Sequence, residues 1–240
     1  MRLLVTRPEH DAADLARALK AKGHSVRLEP LLQIVPVPDA TVPDGPFQAL
    51  LVTSANGVRA LALLPAVSRL SKLPVLAVGV ASGDAAQAAG FATVQSAAGD
   101  LDDLARLVGK TCDPSGGPLL YVTGSVVSGD LKGVLERLGF RVDRAVLYDA
   151  VECHALSAIT INELRNQELD GVLLYSPRSA RIWARCVTAA KLGDATRALT
   201  HYCLSPSVAR ALEQEYGHRP PDIRTADTPS QEHLMALLSA

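Results

Sequence analysis

The sequence predicts an α/β protein made of two similar parallel-sheet α/β domains, one inserted in the other and joined by a two-stranded crossing. Three observations carry this. Short apolar runs of strand length alternate with amphipathic Ala/Leu/Arg segments along the whole chain, the pattern of a parallel sheet covered by helices. Motifs of the first half return in the same order in the second. A Pro-rich stretch also falls after the second strand rather than mid-chain.

Leu3–Thr6 reads as the first strand: its apolar run stops at Arg7 and Pro8, which argues against a signal peptide. Asp11–Lys20 reads as a surface helix, since Leu15 and Leu19 share one face while Arg17 and Lys20 fall off it. Gly23 stands where its C-cap is expected. Further strands are read at Ser25–Leu28, Ala49–Thr53, Val75–Val78, Thr93–Gln95, Pro118–Thr123, Arg141–Leu147, Gly171–Tyr175, Thr200–Leu204 and Asp222–Arg224, with helices in most of the gaps. Leu31–Phe47 contains Pro36, Pro38, Pro43 and Pro46, has little helical periodicity, and is read as a linker.

The repeat is the most informative feature. Leu3-Leu4-Val5-Thr6 is echoed by Leu120-Tyr121-Val122-Thr123, and Leu15, Leu19 and Gly23 return as Leu131, Leu135 and Gly139 at one constant offset. Leu51-Val52-Thr53-Ser54 pairs with Leu173-Leu174-Tyr175-Ser176, Val78–Ser82 with Leu204–Val208, and Ala98–Leu101 with Asp227–Ser230. The expected division is a discontinuous domain of residues 1–35 and 150–240 with residues 36–149 inserted. The two crossings would act as a hinge, with helix N-termini of both domains facing a shared cleft. A tandem cut near Gly116 is the alternative.

Composition narrows the function. Hydrophobic residues make up 48%, charged residues 20%, and the net charge is -1, so bulk charge does not favour nucleic acid. No apolar stretch is long enough for a membrane span. Cys112, Cys153, Cys186 and Cys203 form no CxxC pair, and the six histidines form no HxH or HExxH pattern, so neither a metal site nor a disulfide framework is signalled. The expectation is a soluble, cytoplasmic protein. No loop has the GxxxxGKS or GxGxxG form.

In parallel sheets, ligands bind at the carboxyl ends of strands. The loops there carry Arg7, Thr53, Ser54, Ser82, Thr123, Ser176, Arg178, Ser207 and Thr228, which are the candidate substrate-binding residues. Free N–H groups and the positive end of a helix dipole favour an anion by roughly 0.3–1 kcal/mol each. Arg7 and Arg178 could grip carboxylates bidentately. Each loop taken alone is an ordinary cap; together they point to a polyanionic ligand.

Val5-Thr6-Arg7-Pro8, Val52-Thr53-Ser54-Ala55-Asn56, Ala77-Val78-Gly79, Leu147-Tyr148, Tyr175-Ser176-Pro177-Arg178-Ser179 and Thr228-Pro229-Ser230, in that order, resemble the uroporphyrinogen-III synthase family across essentially the whole chain. The resemblance implies two α/β domains joined by a two-stranded ladder. It implies a lyase of porphyrin and heme biosynthesis with no metal and no cofactor. Its substrate would be hydroxymethylbilane, which carries eight carboxylates and is cyclised with inversion of the last ring through water loss and a spiro intermediate. No nucleic-acid or membrane partner is implied, and a monomer is expected. By the same resemblance Tyr148 is the catalytic candidate, a phenol whose ordinary pKa near roughly 10 keeps it protonated at neutral pH. The chain departs from the family where Val208 stands in place of a frequent Thr and Thr123 in place of a common Arg. These departures keep open a catalytically inactive anion-binding or regulatory paralogue. A nucleotide-sugar or glycosyl-transferring enzyme of two α/β domains is a third reading.

Overall fold

The apolar runs form parallel strands and the amphipathic segments form helices in a computed structural model that describes residues 1–97, 99–127, 129–217 and 221–239. In chain order the strands are β1 Arg2–Val5, β2 Ser25–Leu28, β3 Leu32–Pro36, β4 Ala49–Val52, β5 Val75–Ala77, β6 Val94–Ser96, β7 Leu119–Gly124, β8 Val142–Glu152, β9 Gly171–Leu174, β10 Thr200–Cys203 and β11 Ile223–Thr225. The helices are α1 Glu9–Ala21, α2 Ala55–Ala62, α3 Val67–Leu70, α4 Val80–Ala88, α5 Leu101–Thr111, α6 Leu131–Arg137, α7 Ala158–Arg165, α8 Pro177–Ala189, α9 Gly193–Arg197, α10 Pro206–Tyr216 and α11 Gln231–Ala236.

The chain divides into two compact units, one of Met1–Gln33 with Val151–Ala240 and the other of Ile34–Ala150. The first holds a five-stranded sheet in the order β11-β10-β9-β1-β2, and the strands of the second lie in a six-stranded sheet ordered β3-β8-β7-β4-β5-β6. The neighbours β1/β2, β1/β9, β9/β10, β10/β11, β4/β5, β4/β7, β5/β6 and β7/β8 all run parallel. Without β3 the two orders are the same. β1, β2, β9, β10 and β11 occupy the places of β7, β8, β4, β5 and β6, and these are the segments that echo one another in sequence.

Strands buried on both faces explain the near-continuous apolar runs. In the first unit Leu4, Val172, Leu174 and Cys203 face α7, α8 and α10, while Leu3, Val5, Leu173 and Tyr202 face α1 and α11. In the second, Leu50, Val52, Leu120 and Val122 face α2 and α4, and Ala49, Leu51, Leu119 and Tyr121 face α5 and α6. The repeated glycines end equivalent helices: Gly23 at φ +84° and Gly139 at φ +89° adopt left-handed backbone that a side chain would strain. His24 N–H then donates to Leu19 O at 3.1 Å, and Phe140 N–H to Leu135 O at the same distance.

The segment read as a linker needs one correction. Leu32–Pro36 is strand β3, paired with β8 at the sheet edge. Val37 N–H donates to Leu147 O and Cys153 N–H to Leu31 O, both at 3.0 Å, so the pair runs antiparallel. Pro36 is tolerated because an edge strand has one row of N–H groups that need no partner strand.

Candidate functional site

In each unit the sheet reverses its winding between two neighbouring strands, the place where ligands collect in open α/β sheets. In the second unit that point lies between β4 and β7, and a cavity of about 610 Å³ opens there. Thr53 and Ser54 reach it from the end of β4, Thr123 from β7 and Tyr148 from β8. Four of the residues singled out in the sequence thus line one cavity. Val78, Leu101, Val126, Val127, Leu131 and Val134 supply its apolar surface, and Asp100, Asp102 and Asp130 its charge.

The hydroxyls there are engaged. Thr53 Oγ1 lies 3.1 Å from the Tyr121 hydroxyl, Ser54 Oγ accepts from Asn56 N–H at 3.2 Å as the N-cap of α2, and Thr123 Oγ1 donates to Gly124 O at 3.1 Å. Tyr148 is 8% exposed, with its ring against Gly124 and Gly57. The three aspartates were not anticipated, although Asp directly before an apolar helical run is a recognisable N-cap signal. Asp100 accepts from Asp102 and Asp103 N–H and Asp130 from Gly133 N–H, so α5 and α6 are capped by their own carboxylates. The Asp103 N–H bond is the chief reason the Asp100 carboxyl sits below the usual range. Among the described lining residues there is no Lys or Arg.

Five of the described helices, α1, α3, α4, α9 and α10, begin without a side-chain cap; of these α4, after Gly79, and α10, after Ser205, are equivalent helices of the two units. Ser82 is buried in the first turn of α4; in α10 Ser207 Oγ is 2.9 Å from Ser205 Oγ.

In the first unit the winding reverses between β1 and β9. The Arg7 guanidinium lies 4.9 Å from the Tyr175 ring centroid, a cation–π stack, and reaches Gln231 Oε1 at 3.3 Å and Asp11 at 3.8 Å. Burial pushes the Tyr175 phenol far above its ordinary pKa. Ser176 forms a capping box with Ser179 at the start of α8. Arg178 Nε donates to Glu152 Oε1 at 2.9 Å, and Arg185 bonds the other oxygen of the same carboxylate. These bonds, Arg178 first, hold the Glu152 carboxyl below its usual range. Thr228 is exposed on the loop before α11.

A family model described as uroporphyrinogen-III synthase HemD matches residues 13–236. The chain belongs to the uroporphyrinogen-III synthase family. Within that family it is 26% identical over 211 residues to the uroporphyrinogen-III synthase of Chlorobaculum parvum, covering 81% of this chain and 82% of that protein. Its fold is similar to crystal structures of uroporphyrinogen-III synthetase from Helicobacter pylori (TM-score 0.67, 19% identity, 100% of this chain and 99% of that one) and of a mutant uroporphyrinogen-III synthase from Thermus thermophilus (TM-score 0.52, 18% identity, 100% and 96%). The α/β class with parallel sheets read from the sequence agrees with both. Among the described residues, no group of three or more His, Cys, Asp or Glu could hold a metal ion, and no helix is long and apolar enough to cross a membrane.

Proposed function

We propose that the chain is an active lyase that closes hydroxymethylbilane to uroporphyrinogen III with inversion of the last ring, without a cofactor, as a cytoplasmic monomer. The observation that carries the reading is the cavity of the second unit, where Tyr148 forms part of the wall at the reversal point of a family sheet.

Tyr148 supplies the proton for water loss. The phenol proton passes to the leaving hydroxyl, the carbon–oxygen bond breaks as the pyrrole nitrogen forms a C=N bond, and water departs. The phenolate then takes the pyrrole N–H proton, leaving a neutral azafulvene and a restored phenol. The substituted carbon of the last ring then attacks the exocyclic methylene carbon of the azafulvene, whose C=N electrons return to the first-ring nitrogen. That nitrogen regains a proton as the last ring gives up its N–H proton, and the neutral spiro intermediate results. Spontaneous closure uses the unsubstituted carbon instead, so the protein's main contribution is holding one conformation.

The wall of the cavity suits the ring better than its carboxylates. Apolar side chains meet the pyrrole face, while Asp100, Asp102 and Asp130 repel acidic arms and favour N–H groups and developing positive charge. Each unit by itself offers groups suited to an acidic arm: the second the uncapped start of α4, where Ser82 stands, and the first the uncapped start of α10, where Ser207 stands, together with Arg7, Arg178, Ser176 and Thr228. Thr53, Ser54 and Thr123 line the cavity beside Tyr148.

The test is incubation of the purified protein with freshly made hydroxymethylbilane. Type III product at a rate above spontaneous closure supports the enzyme; binding of the bilane with only type I product overturns it in favour of an anion-binding paralogue.

A further inference from the structure

The Tyr148 ring sits in a slot walled by two glycines. A β-carbon on Gly124 would stand 2.8 Å from both Cε2 and Cζ of the ring, closer than such atoms approach in proteins, and one on Gly57 would stand 3.7 Å from Cε1. Gly124 reaches this place through an irregularity in the ladder. Thr123 pairs with Val146, but Gly124 pairs with Tyr148, so β8 carries one extra residue, Leu147.

The same stretch is gripped from β8 at two points. Ser125 N–H donates to Tyr148 O at 3.0 Å. Arg144, four residues before Tyr148 on the same strand, donates through Nη2 to Gly124 O at 2.7 Å and to Ser125 O at 3.0 Å. Thr123 Oγ1 adds a second bond to Gly124 O. Arg144 Nε is buried without a hydrogen-bond partner among the described residues. Its guanidinium is therefore committed to the backbone of one loop at the cost of an unmade hydrogen bond.

We infer that Gly124, with its carbonyl held by Arg144, is the positioning residue that sets the place of the Tyr148 hydroxyl. The inference rests on the proposed role of Tyr148. The glycine allows the ring to lie against the end of β7, and the arginine stops that end from moving away. A phenol that is to protonate a leaving hydroxyl must stay within hydrogen-bond reach of it, about 2.6–3.2 Å, so a displacement of an ångström removes its effect while the ring remains in the fold.

The experiment compares Gly124→Ala, Arg144→Met and Tyr148→Phe, singly and with each of the first two combined with the third. In Gly124→Ala, kcat for type III product is expected to fall at least about tenfold with KM within about threefold, and to fall less than about twofold further when Tyr148 is already Phe. Arg144→Met is expected to show the same non-additivity with a smaller loss, and serves if the alanine variant does not fold. The ring Cε–Hε resonances of Tyr148, assigned by their loss in Tyr148→Phe, are expected to shift in both variants whether or not there is turnover. Unchanged resonances overturn the inference, as does an equal loss of kcat in both backgrounds. Normal kcat in Gly124→Ala alongside a slow Tyr148→Phe overturns the positioning role and leaves the synthase reading intact, whereas type I product alone from the wild type overturns the synthase reading.

Discussion

Trp183 donates its indole N–H to Nε2 of His201 across 3.0 Å in the core of the first unit, while His201 Nδ1 lies 2.9 Å from Leu199 O. With Nε2 accepting, the proton belongs on Nδ1, and the ring is neutral and fully partnered. Burial lowers its pKa from 6.5 to about 4.

This geometry predicts an acid-sensitive core. Between pH 6.5 and about 4 the unfolded chain binds a proton at His201 that the folded chain refuses, so stability is full above 6.5 and declines as pH falls. The decline attributable to this residue is about 3 kcal/mol. An NMR titration of the imidazole checks it; a midpoint near 6.5 in the folded protein would refute the neutral, buried assignment.

Glu29 predicts a second stability effect. Its buried carboxylate accepts from Ser157 N–H at 2.8 Å and Oγ at 2.6 Å and from the Thr160 hydroxyl, tying the start of α7 to the end of β2. Glu29→Ala strands three donors and is expected to cost about 2–4 kcal/mol in urea unfolding. Glu29→Gln, which keeps an acceptor, should cost on the order of 1 kcal/mol. Equal losses would mean that the hydrogen bonds contribute little.

The two arginines proposed for substrate arms differ in what they already hold. Arg178 is paired with Glu152 at 2.9 Å, whereas Arg7 has a neutral amide at 3.3 Å and a carboxylate only at 3.8 Å. Arg7→Gln is therefore expected to raise KM about tenfold, and Arg178→Gln less than about threefold. The reverse order in steady-state kinetics would show that the Glu152 pair opens on binding.

Much of the fold was legible because parallel strands buried on both faces leave unbroken apolar runs, and because Gly23 and Gly139 mark equivalent helix ends. β3 was hidden by Pro36 and the prolines after it, which read as a linker when taken without the neighbouring strand that accommodates them. The site was legible only in part. Its loops followed from strand ends, but the partners that occupy their hydroxyls and charges did not: Tyr121 beside Thr53 is 68 residues away and Glu152 beside Arg178 is 26. The slot made by Gly57 and Gly124 for Tyr148 is a tertiary close approach with no local signature, and nothing within the strand read at Arg141–Leu147 singles out Arg144.

Tyr148→Phe removes the hydroxyl and leaves the ring in its slot. The expected result is a fall in kcat of roughly 100-fold or more with an unchanged unfolding midpoint, within the range for loss of a general acid. Full activity in that variant would take Tyr148 out of the mechanism.

The most direct test is the isomer composition formed when the wild-type protein meets fresh hydroxymethylbilane, with product oxidised to porphyrin and the isomers separated. The account predicts type III in excess over type I, rising with protein concentration. Type I alone, at the rate seen without protein, would contradict it.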